Sequence, residues 1–268
     1  MKMQKFGIDI SHWQGLFDFK RAAKEGVQYV IIKCGGGDAG HYKDSRFERN
    51  YNEAKLYGLG VGAYWFGAAR TVKEAKAEAD YCVSILKGKK YDYPIFYDIE
   101  AEVSNVGKQT ATDIVKTFCD TLEAAGYWCG FYTNLDWYYN KLNGAELAKR
   151  YAFWLAAWTR TVPDVPNVQM WQFGGETNYI RQNTVAGVVC DQDYCFVDFP
   201  TKIKNAGKNG YEVKEMTETQ KAKEWAVKNG IVKGYDNGDM GWKDGMTREQ
   251  FATILYRFYQ KQKKGEIK

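Results

Sequence analysis

Five carboxylates, Asp9, Asp98, Glu100, Asp191 and Asp193, stand where the sequence could do acid–base chemistry. Each lies at or just beyond a short apolar run: FGIDI at 6 to 10, PIFYDI at 94 to 99, and AGVVC at 186 to 190. Residues i and i+2 of an extended chain point to the same side, so Asp98 and Glu100 share one face. If the runs are strands of one sheet, acids from three separate strands converge on one mouth. Like charges in a partly desolvated cleft cannot all ionise cheaply, so at least one member keeps its proton at neutral pH. A protonated carboxyl is the general acid that protonates a glycosidic oxygen. A lone Asp after a strand is more often a cap or turn residue, but coincidence at three strand ends argues for a site. Clustered carboxylates also bind magnesium or calcium. Neither His12 nor His41 has a recognised ligand spacing, so no metal and no cofactor are expected.

The elements that must position these acids alternate in type. Apolar or aromatic runs at 6 to 10, 28 to 33, 59 to 65, 94 to 99 and 129 to 133 read as buried strands, with helical patterns at 18 to 25, 44 to 57, 71 to 87 and 108 to 125. Such alternation predicts a parallel sheet with right-handed crossovers. Three more runs, at 153 to 158, 168 to 173 and 186 to 190, leave little room for long helices between them. The expected fold class is α/β: a modified (β/α)5(β)3 TIM-like barrel over residues 1–200, with its site at the strands' C-terminal ends. After Pro200 the composition turns polar, which predicts a linker at 201–215. Two amphipathic patterns, near 217 to 229 and 247 to 259, then form a second, small all-α C-terminal module over 216–268.

Composition narrows the partners. Aromatic residues make up 16% of the 268, with 20 Tyr and 9 Trp, a supply of flat rings suited to the apolar faces of sugars. The net charge is +5, of which residues 214 to 268 carry +4 (12 Lys/Arg against 8 Asp/Glu). That tail suits an anionic polymer, although a charge this modest also suits a plain solvated surface; no nucleic acid and no membrane insertion are expected. The cysteines at 34, 82, 119, 129, 190 and 195 show neither CxxC pairing nor zinc spacing, which favours free thiols in a reducing compartment. The stretch MKMQKFGIDISHWQG lacks the apolar run of a signal peptide. GGGDAG at 35 to 40 formally satisfies the dinucleotide-binding GxGxxG, but it leads into His41, Tyr42 and Lys43 rather than opening a helix, so it reads as a barrel loop. His12 reads as a neutral orienting or packing residue, and Cys190, with no histidine nearby in sequence, is not expected to act as a nucleophile.

The order GIDISHWQG, VIIKCGGG, GAYWF, PIFYDIE, GFYTN, FWLAAW, MWQF and CDQD, from about Lys5 to Phe199, resembles glycoside hydrolase family 25, the Chalaropsis-type lysozymes found in many phage endolysins. The resemblance implies a peptidoglycan hydrolase that cleaves the β-1,4 bond between N-acetylmuramic acid and N-acetylglucosamine and causes cell-wall lysis. It assigns Glu100 as general acid, with Asp9, Asp98 and Asp191 completing an acidic quartet. Asp98 steadies either a water or the substrate's acetamido group. Tyr64, Trp65, Tyr132, Trp158, Gln172 and Asp193 are the implied substrate-binding residues. Family members often carry His where Trp65 stands and Asn where Asp193 stands, so Asp193 adds an extra acid. With no signal peptide, the implied history is synthesis in a host cytoplasm and action on the wall after release. A chitinase-like hydrolase would instead release chitooligosaccharides, a non-catalytic wall binder would sediment with walls without cutting them, and a metal-dependent nuclease would respond to chelators.

Residues 216 to 260 resemble one S-layer homology repeat, on WA at 225 and 226, GI at 230 and 231, GY at 234 and 235, and TRE at 247 to 249. A lone helical hairpin buries little apolar surface. The module is therefore expected to pack on the barrel or self-associate, and to bind or oligomerise at the wall. Met216, just after codons that could encode a ribosome-binding site, is a candidate internal start supplying free modules to an oligomer.

Overall fold

The computed structural model describes residues 4–100, 106–213, 217–235 and 239–267. Two compact units are present, Met1–Val213 and Lys214–Lys268.

In the first unit eight strands close a barrel. Six run parallel in sequence: β1 (Lys5–Ile10), β2 (Tyr29–Gly36), β4 (Gly60–Phe66), β5 (Ile95–Asp98), β6 (Cys129–Asn134) and β7 (Ala152–Ala156), followed by a seventh, β8 (Met170–Gly174). The eighth, β11 (Asp191–Cys195), pairs antiparallel with both β8 and β1 and shuts the ring. A short β3 (Tyr42–Lys43) pairs antiparallel with the end of β2. Helices α1 (Phe19–Lys24), α2 (Phe47–Leu56), α3 (Val72–Leu86) and α4 (Lys108–Ala124) fall where the sequence patterns put them, and a shorter α5 (Gly144–Arg150) precedes β7.

The expected eighth strand at 186 to 190 is corrected. Those residues belong to a small hairpin, β9 (Thr184–Val185) with β10 (Val188–Val189), and the barrel strand begins at Asp191. Because β11 runs against its neighbours, its first residue stands at the C-terminal ends of the parallel strands. Asp191 pairs directly with Asp9. An apolarity criterion passes over DQDYC, since its inward side chains are polar.

Strand alternation splits the core in two. Outward residues such as Ile8, Val30, Trp65, Tyr97, Phe131 and Phe173 pack under the helices. Inward ones, including Tyr29, Ile31, Phe96, Trp154 and Met170, fill the barrel. Rings this large fit because the facing positions are bare: a Cβ at Gly7 would overlap the Tyr29 ring, and one at Gly130 would meet Phe96 at 2.8 Å.

The predicted linker at 201–215 is also corrected as far as Val213. α6 (Phe199–Asn205) starts on an Asp198 cap and buries Phe199 and Ile203 against the barrel's lower layer. Asn209 is fully buried. Its Oδ1 accepts from Trp128 N at 2.6 Å and its Nδ2 donates to the Tyr93 carbonyl at 2.9 Å. The polar composition that suggested a linker instead supplies hydrogen bonds to backbone groups at the barrel's base. The proposed start residue Met216 lies outside the described residues.

The second unit contains α7 (Glu218–Lys228) and α8 (Arg248–Lys263). Both open on reciprocal caps, Thr217 with Gln220 and Thr247 with Gln250. Trp225 and Phe258 meet with ring centroids 6.1 Å apart.

Candidate active site

The inward parity that fills the barrel also builds its mouth. Asp9, Tyr64, Asp98, Tyr132, Gln172 and Asp191 come from six different strands and line one small pocket of about 80 Å³ together with Glu100 and Trp154. Above it lies an open cleft of about 760 Å³. Glu100, Tyr132, Gln172 and Asp191 border both spaces. Trp158, 39% exposed, and Trp13, 81% exposed, add aromatic surface to the cleft.

A hydrogen-bond chain orients the floor. Tyr132 Oη and Trp158 Nε1 each donate to Gln172 Oε1 at 3.1 Å, and Gln172 Nε2 donates to Asp9 Oδ2 at 3.0 Å. That chain also fixes which way the Gln172 amide points, because only its oxygen can accept from both donors. Asp98 Oδ1 is buried and takes no hydrogen bond among the described residues.

All the acids titrate high. Burial, then the charge of Glu100, pushes Asp98 well above the usual carboxylate range, with Lys33 pulling the other way. Burial and then the charges of Asp191 and Asp193 do the same to Asp9, opposed by the Gln172 amide. Glu100 is raised by burial, against a hydrogen bond from Asn134. Burial, then Glu100 and Glu176, lifts Asp191 to about 6. The cluster therefore holds protons toward neutral pH while facing an open cleft, the condition for general acid catalysis.

Nine of the ten residues that the sequence singled out gather at this end of the barrel. Asp193 is fully buried and lines neither the pocket nor the cleft, so its assignment to the substrate is corrected; its Oδ1 instead accepts from Trp154 Nε1 at 2.8 Å. Trp65 does not join them. It occupies the outward position between inward Tyr64 and Phe66, is fully buried, and donates from Nε1 to Glu78 Oε2 at 3.0 Å in α3. Its assignment to the substrate is corrected on parity alone. His12, read from the sequence as a neutral orienting or packing residue, lies in the turn that carries Trp13 with its Nδ1 2.7 Å from Asp44 Oδ2.

Several residues escaped the sequence reading. Lys33, on the inward face of β2, is buried with its Nζ 4.7 Å from the Phe66 ring centre, and is the cation that acts on Asp98. Its signal was a charge closing the apolar run VIIK. Trp154, two residues before Ala156 on the inward face of FWLAAW, was legible from alternation. Gly175 permits a close approach, since a Cβ there would overlap Asp191 Oδ1 and touch Trp158 at 3.0 Å.

A closed barrel whose mouth gathers proton-holding carboxyls and aromatic rings in a cleft of this volume defines a glycosidase-type acid–base site. The family model for glycosyl hydrolases family 25 matches residues 8–181, and the chain belongs to that family. Lysozyme M1 of Streptomyces globisporus is 32% identical over 200 residues, covering 70% of this chain and 65% of that protein. The autolytic lysozyme of Clostridium acetobutylicum is 29% identical over 159 residues, covering 59% of this chain. This chain thus spans 65% and 47% of the length of those two relatives. The fold is shared with the CTP1L endolysin, at a TM-score of 0.65 and 22% identity over 95% of this chain and 99% of that one.

Proposed function

We propose that the protein is a muramidase that cleaves the β-1,4 bond between N-acetylmuramic acid and N-acetylglucosamine in peptidoglycan and so lyses bacterial walls. The carrying observation is the meeting of Asp9, Asp98, Glu100 and Asp191 around one pocket at the floor of an open cleft. Glu100 borders both spaces, so it can reach a glycosidic oxygen in a bound strand. Its proton passes to that oxygen as the bond to the anomeric carbon breaks and the bonding pair stays with the leaving oxygen. Positive charge developing on the sugar ring is stabilised by the ionised neighbours. Asp98, with an unengaged buried acceptor, serves either the acetamido N–H of the substrate or a water. Glu100→Gln keeps the shape and removes the acid. It should abolish clearing of wall suspensions without lowering the melting temperature; retained clearing would remove Glu100 from the role.

The enzyme is proposed to be made in a host cytoplasm and to act after release, in keeping with six buried free thiols. For the second unit we infer an S-layer-homology-like module that binds anionic wall polymer and self-associates, from its cationic balance and from Phe251, Leu255 and Tyr259 exposed along α8. The CTP1L endolysin, similar over nearly the whole chain, is described as regulated by a secondary translation product. An internal start at Met216 would give this protein one. Intact mass of the product of the native gene checks it: a second species beginning at Met216 is expected, and a single full-length species ends the idea.

A further inference from the structure

Trp13 is the most exposed tryptophan among the described residues, at 81%, yet the turn that carries it is tightly braced. It stands at the centre of the short 3₁₀ turn His12–Gln14 that follows β1. Ser11 Oγ accepts from the Trp13 N–H at 3.2 Å, and Gln14 Oε1 accepts from the Ser11 N–H at 2.9 Å, which closes the turn on itself. Behind it lies Asp44, whose side chain is wholly buried. Its Oδ2 accepts from the His12 N–H at 3.1 Å and its Oδ1 from the Arg46 N–H at 2.8 Å. Since both oxygens already accept, the 2.7 Å contact between His12 Nδ1 and Oδ2 puts the proton on the histidine. Asp44 N donates to the Cys34 carbonyl at 3.0 Å, which ties the whole assembly to β2. The His12 ring lies against the indole, with centroids 4.6 Å apart and planes 36° from parallel.

A single exposed ring needs no explanation by itself. This one lines the same cleft as Glu100 and Asp191, and that cleft, at about 760 Å³, is far larger than the pocket of about 80 Å³ at its floor. It has room for sugars beyond the one that meets the acids. Trp158, the other exposed indole of the cleft, is bonded to Gln172 and so to the catalytic floor, whereas Trp13 is no part of that chain. A ring fixed before its ligand arrives loses little freedom on stacking, which is the benefit of preorganisation. We propose that Trp13 is a sugar-binding platform for the part of the glycan strand beyond the scissile bond, its indole against the apolar face of an N-acetylated pyranose, and that His12 and Asp44 are positioning residues that hold it there. The platform makes long strands better substrates than short fragments.

The inference rests on the muramidase reading for its ligand, and two measurements keep the two failures apart. The first is binding without cleavage. Full-length protein carrying Glu100→Gln is titrated by calorimetry with soluble glycan strands of alternating N-acetylglucosamine and N-acetylmuramic acid, stripped of peptides. Adding Trp13→Ala should weaken Kd about tenfold, and Trp13→Tyr, which keeps a flat ring, should restore most of it. The second is turnover by protein with Glu100 intact. Trp13→Ala should raise KM about tenfold on long strands with kcat little moved, and the loss should shrink as the strand is shortened. If Kd depends on Trp13 but the wild type cuts nothing, the muramidase reading falls and the platform stands. If the wild type cuts and Trp13→Ala changes neither Kd nor KM, or costs as much on the shortest strands as on the longest, the platform falls and the muramidase reading stands. His12→Ala removes the ring behind the indole, and Asp44→Asn leaves one acceptor oxygen where two are used. Each should give a smaller rise in KM of the same kind, and none once Trp13 is alanine. A rise that persists undiminished in the Trp13→Ala background would overturn the positioning role.

Discussion

Each carboxyl in the mouth is kept at some expense to folding, and Asp191 shows the size and sign of it. Its ordinary value of 3.8 is lifted to about 6 by burial, Glu100 and Glu176. The unfolded chain ionises this group freely near neutral pH while the folded one resists. Its contribution is therefore fully present below about pH 4 and lost as pH rises through 6, a swing on the order of 3 kcal/mol at most. Asp191→Asn removes the titration. It should melt higher than wild type near pH 7, by an amount that vanishes near pH 4, while hydrolysis falls on the order of 10²-fold because a charge beside the reacting centre is gone. A calorimetric series across that range checks both parts. If the variant gains nothing at neutral pH, the crowding argument fails for this residue. Lys33 bears on the same balance from the opposite side, as a buried cation favouring the ionised form of Asp98.

At the scale of strands, period-two alternation decides what each residue can touch. It places Tyr64 in the pocket and Trp65 against α3, where Glu78 also accepts from Tyr97 Oη at 3.0 Å and Ala68 N at 3.1 Å. Trp65→Phe should cost about 2 kcal/mol, from one buried hydrogen bond and some packing, and leave KM for wall fragments unchanged. Trp158→Ala should do the reverse, raising KM severalfold with little change in melting, since its ring is partly exposed in the cleft. Equal KM effects from the two would contradict the assigned faces. The same alternation marks how far the sequence was readable. The parallel strands and α1 to α4 were legible because their outward faces are apolar and periodic, and the DxE spacing put Asp98 and Glu100 on one side without coordinates. β11 was not, because its inward side chains are Asp191 and Asp193 and Gln192 is buried too, so a buried strand looked like a polar loop. Trp65 was misplaced by letting a resemblance outrank parity.

For the molecule as a whole, the physical consequence lies in where the barrel unit ends, which is Val213. Polarity after Pro200 suggested a linker, yet those residues complete the base of the barrel. Ile203 is fully buried, Asn209 satisfies the Trp128 amide and the Tyr93 carbonyl, and Tyr211 Oη donates to Asp92 at 2.6 Å. Removing them uncovers apolar surface worth about 2 kcal/mol for Ile203 alone. It also strands the buried Tyr93 carbonyl and the part-buried Trp128 N–H, at about 1–3 kcal/mol each at most. The sum, on the order of 5 kcal/mol, rivals the whole stability of an ordinary domain. A chain cut after Val213 should therefore give one cooperative thermal transition and an intact near-ultraviolet signal from its buried tryptophans. A chain cut after Pro200 should lose that cooperativity or aggregate. Should the shorter piece melt as sharply and as late as the longer one, the Asn209 contacts are dispensable and the boundary returns to Pro200. Asn209→Gly in the longer piece separates the two contributions. Asn209 sits at φ 58°, where glycine is at ease, so this variant loses the side-chain hydrogen bonds without adding backbone strain, and it should fall between the two truncations.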